Sequence, residues 1–213
     1  MGEAKQSKSV TKFGPGWESP LSNIRFSKFN AKVYDEEGEQ KDIEFQSAEH
    51  YYQYAKANYF DEQDIAARIL AASNPLTCRR IAQEKLAVQD EGKVKEWNAQ
   101  AQKIMREALM AKFAQVESAR KYLFKTGDSC IVFCDPNDQF WGAGVDKSQV
   151  VGAKNLDEQL KGRNHLGRLL EEVRAEMMAD PAYAALLPEN GKRKFTATDK
   201  MNTDDKAKKF KLV

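Results

Sequence analysis

Apolar and polar residues alternate over several short segments of the chain, which is the pattern of half-buried strands. "IRFSKF", residues 24–29, alternates in this way, and "AKVYDEEGEQKDIEF", residues 31–45, predicts two short strands around an Asp-Glu-Glu-Gly turn. "SCIVFC", residues 129–134, is a continuous apolar run that is typical of a buried strand. Because these segments are few and short, the sheet that they form is expected to be small.

A helical period dominates the rest of the chain. In the longest such segment, about Lys93 to Val116, apolar residues recur every three or four positions. Three more helices are predicted to begin at residues that suit a helix N-terminus: Ser47, Asp61, and Asn74 with Pro75 after it. "NHLGRLLEEVRAEMM", residues 164–178, predicts the last helix. The fold class is therefore predicted to be α+β, a helix-rich single domain with a small antiparallel sheet.

The length of the chain, 213 residues, fits one domain, which we place at residues 13–188. Residues 1–12 lack periodicity and residues 189–213 are rich in charge, so both ends are predicted to be flexible. Lysine clusters in the tail fit either a nuclear address or, more commonly, a solvated tail. We expect a monomer.

Neither a membrane span nor a secretion signal is predicted. No apolar run approaches the ~20 residues that cross a bilayer, and residues 1–10 lack the apolar stretch of a signal peptide. The expectation is a protein with no membrane partner, located in the cytoplasm and, if the lysine clusters act as an address, also in the nucleus.

The net charge and the small numbers of cysteine and histidine restrict the ligands that the protein is expected to bind. The net charge is +2, from 34 basic and 32 acidic residues, which argues against a strong general affinity for nucleic acid. Three cysteines form no paired spacing and fit reduced thiols, and two histidines make a zinc site improbable. We predict no metal and no cofactor.

In the segment "FQSAEHYYQYAKANYF", residues 45–60, the polar residues Glu49, Gln53 and Lys56 stand among many aromatic residues. On a helix, Glu49, Gln53 and Lys56 return to nearly the same face, four and seven residues apart. The aromatic neighbours suggest burial on most sides, and a buried row with two opposite charges needs partners or a cleft. An exposed stripe with Glu49 near the positive end of the helix fits the residue types equally well.

Three other features are candidates for binding. Lys112 lies on the apolar stripe of the long helix, where it either extends its amine to solvent or meets an anion. "NDQFWGAGVDKS", residues 137–148, combines an aromatic plate with flexible glycines and carboxylates, which suits either a ligand site or a turn held by a core tryptophan. "GRNHLG", residues 162–167, leads into a helix whose first N–H groups are suited to a phosphate.

Taken together, these segments resemble the NADAR family, the NAD- and ADP-ribose-associated domain. The resemblance runs in order from Phe13 to about Met178. It is carried by "SPLSN" at 19–23, "SAEHYYQYAKANYF" at 47–60, "AARILAASNP" at 66–75, Trp97, "ALMAKF" at 108–113, "FKTGD" at 124–128, "NDQFWGAGVD" at 137–146 and "GRNHLGRLLEEVR" at 162–174.

The resemblance implies hydrolysis of an N-glycosidic bond, either in riboflavin-pathway intermediates or in ADP-ribose attached to guanine. The implied catalytic residues are Glu49, Lys56 and Asp146. The implied substrate-binding residues are Ser22, Asn23, Gln53, Trp97, Lys112, Asp138, Trp141, Gly142, Gly144, Arg163, Asn164 and Gly167. Within this set, the candidates for binding a diphosphate are Asn23, Lys112, Arg163 and the helix start at "NHLG". The rings of Trp97 and Trp141 are expected to form the sides of the site.

Some positions depart from the family pattern. Phe133 stands where the family often has a glutamate, Ala82 and Gln83 replace a Gly-Arg pair, and Leu170 with Glu171 replaces Leu-Met. The first two differences bear on substrate choice, because either removes a group that contacts phosphate or base.

Three functional hypotheses follow. The first is a glycohydrolase that releases ADP-ribose from guanine in nucleic acid or a nucleoside. The second is a module that binds ADP-ribose or NAD without turnover, and the third is an N-glycosidase acting on a riboflavin-type metabolite. In the enzyme hypotheses Glu49 stabilises a cationic transition state or activates water, and Lys56 donates a proton, forms a Schiff base, or only holds Glu49 in place.

Overall fold

The computed structural model describes residues 9–34, 39–85 and 91–186. The predicted tail at 189–213 and most of the predicted flexible segment at 1–12 lie outside these residues. The strands are β1 (Val10–Phe13), β2 (Phe29–Tyr34), β3 (Gln40–Phe45) and β4 (Cys130–Phe133). The helices are α1 (Ala48–Tyr59), α2 (Gln63–Leu70), α3 (Pro75–Lys85), α4 (Glu91–Gln115), α5 (Glu117–Lys125), α6 (Leu156–Gln159) and α7 (His165–Ala179), with short 3-10 turns at Lys147–Gln149 and Pro181–Leu186.

The predicted α+β class, rich in helix and with a small antiparallel sheet, is confirmed. β2 and β3 pair antiparallel, with Phe29 opposite Phe45, as the hairpin pattern predicts. The strand predicted over residues 24–29 is wrong, because only Phe29 belongs to a strand. The preceding residues pack against the start of α1 instead, where the N–H of Ser27 donates to the carbonyl of Gln46 at 2.9 Å.

A second, parallel pair joins the beginning of the described chain to its later half. β1 lies alongside β4 with Val10 opposite Cys130 and Phe13 opposite Phe133. Lys12 strengthens this connection, because its Nζ donates to the carbonyl of Val150 at 2.9 Å. Since β1 begins at Val10, the folded part extends into the segment predicted to be flexible.

The predicted helix starts are right at two of three places. The N–H of His50 donates to Ser47 Oγ at 3.3 Å, and the N–H of Thr77 donates to Asn74 Oδ1 at 2.9 Å. Asp61 is not a cap, because its backbone is left-handed, with φ of 60°, and α2 begins two residues later. Its N–H donates to the carbonyl of Asn58, so Asp61 ends the turn after α1 rather than opening the next helix.

The packing places α1 at the centre of the molecule. α1 lies against α2, α3 and α4, while α7 covers β4 and also contacts α4. The predicted long helix is α4, and a separate helix that the pattern did not indicate, α5, follows it after Val116. No helix in the described ranges is long and apolar enough to cross a membrane.

Candidate active site

The first turn of α1 holds a buried carboxylate. Glu49 is 2% exposed, and its two oxygen atoms accept four hydrogen bonds. Oε1 accepts from Gln53 Nε2 at 2.9 Å and from Arg79 Nε at 2.9 Å. Oε2 accepts from Asn23 Nδ2 at 2.5 Å and from Arg79 Nη2 at 3.0 Å. All four partners are N–H donors and one of them is a guanidinium, so this arrangement suits a carboxylate in a fixed orientation.

Local contacts fix the start of α1 and therefore the carboxylate. The N–H of Glu49 donates to the carbonyl of Asn23 at 3.0 Å, so Asn23 contacts this residue through both backbone and side chain. The imidazole of His50 lies between Ser47 Oγ, at 3.0 Å, and the carbonyl of Ala72, at 3.1 Å. Burial lowers the pKa of His50, which favours the neutral ring in this structural role.

Arg79 is the residue of this cluster that the sequence analysis missed. Its guanidinium pairs with Glu49 through two parallel bonds, the strongest geometry for an ion pair. The charge of Glu49 raises the pKa of Arg79, with burial opposing it. A signal does exist in the sequence: Arg79 stands four residues after Pro75 and three before Ala82, beside the buried face of α3.

Lys112 is fully buried and bonds to the backbone. Its Nζ donates to the carbonyl of Ser22 at 2.8 Å, one residue before Asn23. The expectation that it extends its amine to solvent is therefore wrong, because the side chain is fully buried. The expectation that it meets an anion stays a prediction. Burial, with a smaller effect from Arg25, lowers the pKa of Lys112 to about 7. The hydroxyl of Ser22 is also buried and has no partner among the described residues.

Lys56 does not bond to the other two residues of the predicted polar row, Glu49 and Gln53. Glu49 and Gln53 bond to each other, whereas the side-chain amine of the half-buried Lys56 makes no hydrogen bond or ion pair within the described ranges. Burial lowers the pKa of Lys56. The lysine therefore does not hold Glu49 in this structure; Asn23 and Arg79 do.

The two tryptophans that the family resemblance suggests as the sides of the site both pack against Tyr52. The ring centroids of Tyr52 and Trp97 are 5.4 Å apart, and those of Tyr52 and Trp141 are 5.5 Å apart. Trp97 is buried and Trp141 half-buried, so Trp141 is the more accessible of the two rings. Burial raises the pKa of Tyr52, which keeps its hydroxyl protonated.

The tryptophan–glycine loop is shaped by internal contacts. Asp138 Oδ1 accepts the N–H groups of Phe140, at 2.9 Å, and Trp141, at 2.7 Å. A side chain at Gly142 would meet the carbonyl of Asp138 at 2.5 Å, and Gly144 has a left-handed φ of +66°. These two glycines therefore allow the loop to pack closely on itself, which accounts for them without a ligand.

The start of α7 is occupied by protein groups. The N–H groups of His165 and Leu166 donate to the carbonyls of Phe140, at 3.3 Å, and Trp141, at 3.1 Å. The side chain of Asn164 bonds to β4, and the guanidinium of Arg163 lies 5.9 Å from the centre of the Phe140 ring. The first two N–H groups of the helix, which the sequence suggested for a phosphate, are thus already bonded.

Two further predicted residues lie away from Glu49. Asp146 is exposed, exchanges bonds with Gln149 at the 3-10 turn, and lines a surface cleft of about 520 Å³ with Gly14 and Lys147. Gly167 packs so closely against β4 that a side chain there would meet the carbonyl of Ile131 at 2.1 Å. No contact joins either residue to Glu49 within the described part of the chain.

At the positions that depart from the family pattern, the structure shows the following surroundings. Phe133 is buried and stacks on Phe13, with ring centroids 5.0 Å apart. Ala82 is buried among α1, α2 and α3, and Gln83 is exposed. Glu171 Oε1 accepts the N–H of Ile131 at 2.7 Å, so this carboxylate supports the strand.

The fold and the site define a class: a helix-rich α+β domain with a buried, ion-paired carboxylate at the start of its central helix. The sequence pattern of the NADAR domain matches residues 14–178. The chain belongs to this family.

Individual relatives agree with that assignment. Protein irg-1 of Caenorhabditis elegans is 34% identical over 163 residues, which is 74% of each chain. An N-glycosidase of Nostoc punctiforme is 32% identical over 140 residues, 64% of this chain and 77% of the relative. The solution structure of the Escherichia coli protein YbiA is similar in fold, with a TM-score of 0.58 at 21% identity, over 88% of this chain and 94% of that one.

Proposed function

We propose that the protein is an N-glycosidase that releases ADP-ribose from ADP-ribosylated guanine in nucleic acid or a nucleoside. The observation that carries the proposal is the buried carboxylate of Glu49, oriented by Asn23, Gln53 and Arg79. Membership of the NADAR family and a relative named as an N-glycosidase support the reaction type. The guanine substrate is the finer part of the proposal and rests on the family resemblance.

The chemistry requires a fixed negative charge. Breaking the bond between the anomeric carbon and the base nitrogen leaves the electron pair on nitrogen and positive charge on the sugar. A carboxylate whose orientation is set before the reaction stabilises that charge without reorganisation. Since each oxygen of Glu49 already accepts two bonds, electrostatic stabilisation fits the site better than proton abstraction. Water then adds to the anomeric carbon, and the departing nitrogen takes up a proton.

Lys56 is the candidate for that proton or for a covalent step. Burial lowers its pKa, so the amine exchanges a proton more readily near neutral pH than a solvated lysine does. As a nucleophile, its nitrogen would bond to the anomeric carbon as the bond to the base nitrogen breaks, and the base would leave with the electron pair and take up a proton. Opening of the sugar ring would then give a Schiff base and a ring-oxygen hydroxyl, and water would hydrolyse the Schiff base to release the sugar and the free amine. The lack of an ion pair with Glu49 favours these two roles over one in positioning.

An oligonucleotide carrying ADP-ribosylated guanine tests the proposal. The wild type is expected to release free ADP-ribose, measured by chromatography, while Glu49→Gln and Lys56→Ala lower the rate by 100-fold or more. Glu44→Gln and Lys28→Ala are matched controls, because these residues form an exposed ion pair on β3 and the segment before β2.

Two further measurements on the same proteins distinguish the alternative functions. Binding of ADP-ribose in calorimetry without release by the wild type would identify a binding module and overturn the enzyme. Turnover of a phosphoribosylated pyrimidine, with none of the guanine conjugate, would retain the N-glycosidase reaction and replace the substrate.

A further inference from the structure

Lys112 carries a fully buried amine that the proposed reaction does not use. It lies in the last turn of α4, and its Nζ donates to the carbonyl of Ser22 at 2.8 Å. An apolar side chain of similar length would fill the same place without the cost of removing an ammonium group from water. The stability of the fold therefore does not by itself account for a lysine at this position.

The carbonyl that Lys112 bonds belongs to a segment without regular structure. Residues 14–28, between β1 and β2, form neither helix nor strand, so no ladder of backbone hydrogen bonds fixes their path. The hydroxyl of Ser22 is buried and has no partner among the described residues. The N–H of Arg25 donates to the Ser22 carbonyl at 3.3 Å. Ser22 is thus held through its carbonyl, by Lys112 from α4 and by Arg25 from its own segment.

Asn23 connects this carbonyl to the carboxylate of Glu49. The Ser22 carbonyl and the nitrogen of Asn23 belong to one planar peptide unit, so a shift of the carbonyl moves the backbone of Asn23 with it. Asn23 in turn bonds twice to Glu49: its carbonyl accepts the Glu49 N–H at 3.0 Å, and its Nδ2 donates to Oε2 at 2.5 Å. A continuous series of contacts therefore runs from the amine of α4 to the carboxylate of α1.

We propose that Lys112 is a positioning residue of the site: by holding the Ser22 carbonyl, it keeps Asn23 in the place from which Asn23 orients Glu49. Lys112 acts through Asn23 and makes no contact with the substrate. The inference deepens the proposed function and rests on it for the catalytic role of Glu49. The effect of Lys112 on the contact between Asn23 and Glu49 does not depend on that role.

Steady-state kinetics on the guanine conjugate test the positioning role. Lys112→Met is expected to lower kcat about tenfold or more and to change KM less than about twofold, because the carboxylate is displaced while the contacts with the substrate remain. Lys112→Leu is expected to give the same pattern, so the test does not depend on the folding of one variant. An increase in KM at unchanged kcat would show that Lys112 contacts the substrate and would overturn the inference.

Two control variants separate positioning from a loss of stability. Lys103→Met removes an exposed lysine from the same helix and is expected to leave kcat unchanged. Val150→Ala weakens a different hydrophobic cluster, formed by Val132, Cys134, Ala143, Val145 and Val150. Urea denaturation measures the stability of each variant. A fall in kcat for Val150→Ala as large as that for Lys112→Met, at equal stability, would overturn the inference.

A double variant tests whether Lys112 acts through Asn23. The kcat of Lys112→Met, of Asn23→Ala and of the variant with both changes is compared with that of the wild type. The loss in the double variant is expected to be smaller than the product of the two single losses, because Lys112 has less to position once the amide of Asn23 is gone. Losses that multiply would mean that the two residues act independently, which would overturn the inference.

Nuclear magnetic resonance examines the same contact without turnover. Lys112→Met is expected to shift the side-chain amide resonance of Asn23 and the backbone amide resonance of Glu49, and Lys103→Met is expected to leave both in place. Unchanged resonances in Lys112→Met would overturn the inference. If the resonances shift but the wild type releases no ADP-ribose from the guanine conjugate, the positioning of Glu49 by Lys112 stands and the proposed function fails.

Discussion

At Glu49, four N–H donors from three parts of the chain converge on two oxygen atoms. Burial of a carboxylate is costly because the charge loses its hydration, and the stability of this arrangement depends on every donor being present. Arg79 supplies two of the four. The residue is therefore as important to the folded state as to the site.

Replacing Arg79 with methionine is expected to lower the free energy of unfolding by about 2 kcal/mol. The value lies below the ~3–5 kcal/mol of a fully buried pair, because Arg79 is one-third exposed and water can reach its place. Urea denaturation measures the change, with Arg80→Met as the control. The double variant Glu49→Gln/Arg79→Met should recover part of the loss, because a neutral amide no longer needs the guanidinium. Equal losses in the single and double variants would contradict this account.

Lys112 is expected to make stability depend on pH. Its pKa is about 7 in the folded protein, against an ordinary value of 10.5. Between these values the unfolded chain binds a proton that the folded protein does not, so stability rises with pH, by up to about 1.4 kcal/mol per unit. Urea denaturation from pH 7.5 to 9 should show this rise in the wild type and a flatter profile in Lys112→Met. Parallel profiles would mean that the amine stays protonated.

At the scale of secondary structure elements, α7 packs very closely on β4. The α-carbon of Gly167 faces the carbonyl of Ile131, and the amide of Asn164 bonds to the backbone of Ile131 and Phe133 at 2.9 Å each. The helix and the strand therefore have little freedom to separate, and the tryptophan–glycine loop between them in sequence is held at both ends.

Gly167→Ala is expected to lower the free energy of unfolding by about 1–3 kcal/mol. The added methyl group would clash with backbone, and this cost exceeds the gain of about 1 kcal/mol that alanine brings to a helix. Gly152→Ala is the matched control, because no atom lies within 4 Å of the position of its new methyl group. Thermal unfolding compares the two, and an unchanged midpoint in Gly167→Ala would show that α7 can shift away from β4.

For the molecule as a whole, the sequence predicts features that depend on neighbouring residues better than contacts between residues far apart in the chain. Ser47 and Asn74 were identified as caps because a cap bonds to residues only three positions away. β1 escaped prediction because four residues are too few to show alternation and the partner strand lies far along the chain. The pairing of Arg79 with Glu49 spans 30 residues, so helical spacing places Arg79 beside the buried face of α3 but does not reveal its partner. Family resemblance located the carboxylate, and only the structure shows what holds it.

The parallel pairing of β1 with β4 leads to a prediction about chain length. A protein that begins at Phe13, the predicted domain boundary, is expected to unfold at a lower temperature than one that begins at Ser9. The shorter chain loses the first three residues of β1, the bond between Thr11 and Ser129 and the two bonds of Lys12. Circular dichroism during heating compares the two chains, and coincident curves would show that β1 contributes nothing to stability.

The side of β4 that faces away from β1 has a further consequence. Its outward N–H and carbonyl groups, on Ile131 and Phe133, are bonded to Glu171, Asn164 and the N–H of Ala143. An exposed strand edge is a template on which other chains can aggregate. Here side chains of α7 and one loop amide take the place of a neighbouring strand, so the edge is closed to intermolecular pairing without a longer sheet. Glu171 is thus a protective residue at a position where the family usually has methionine.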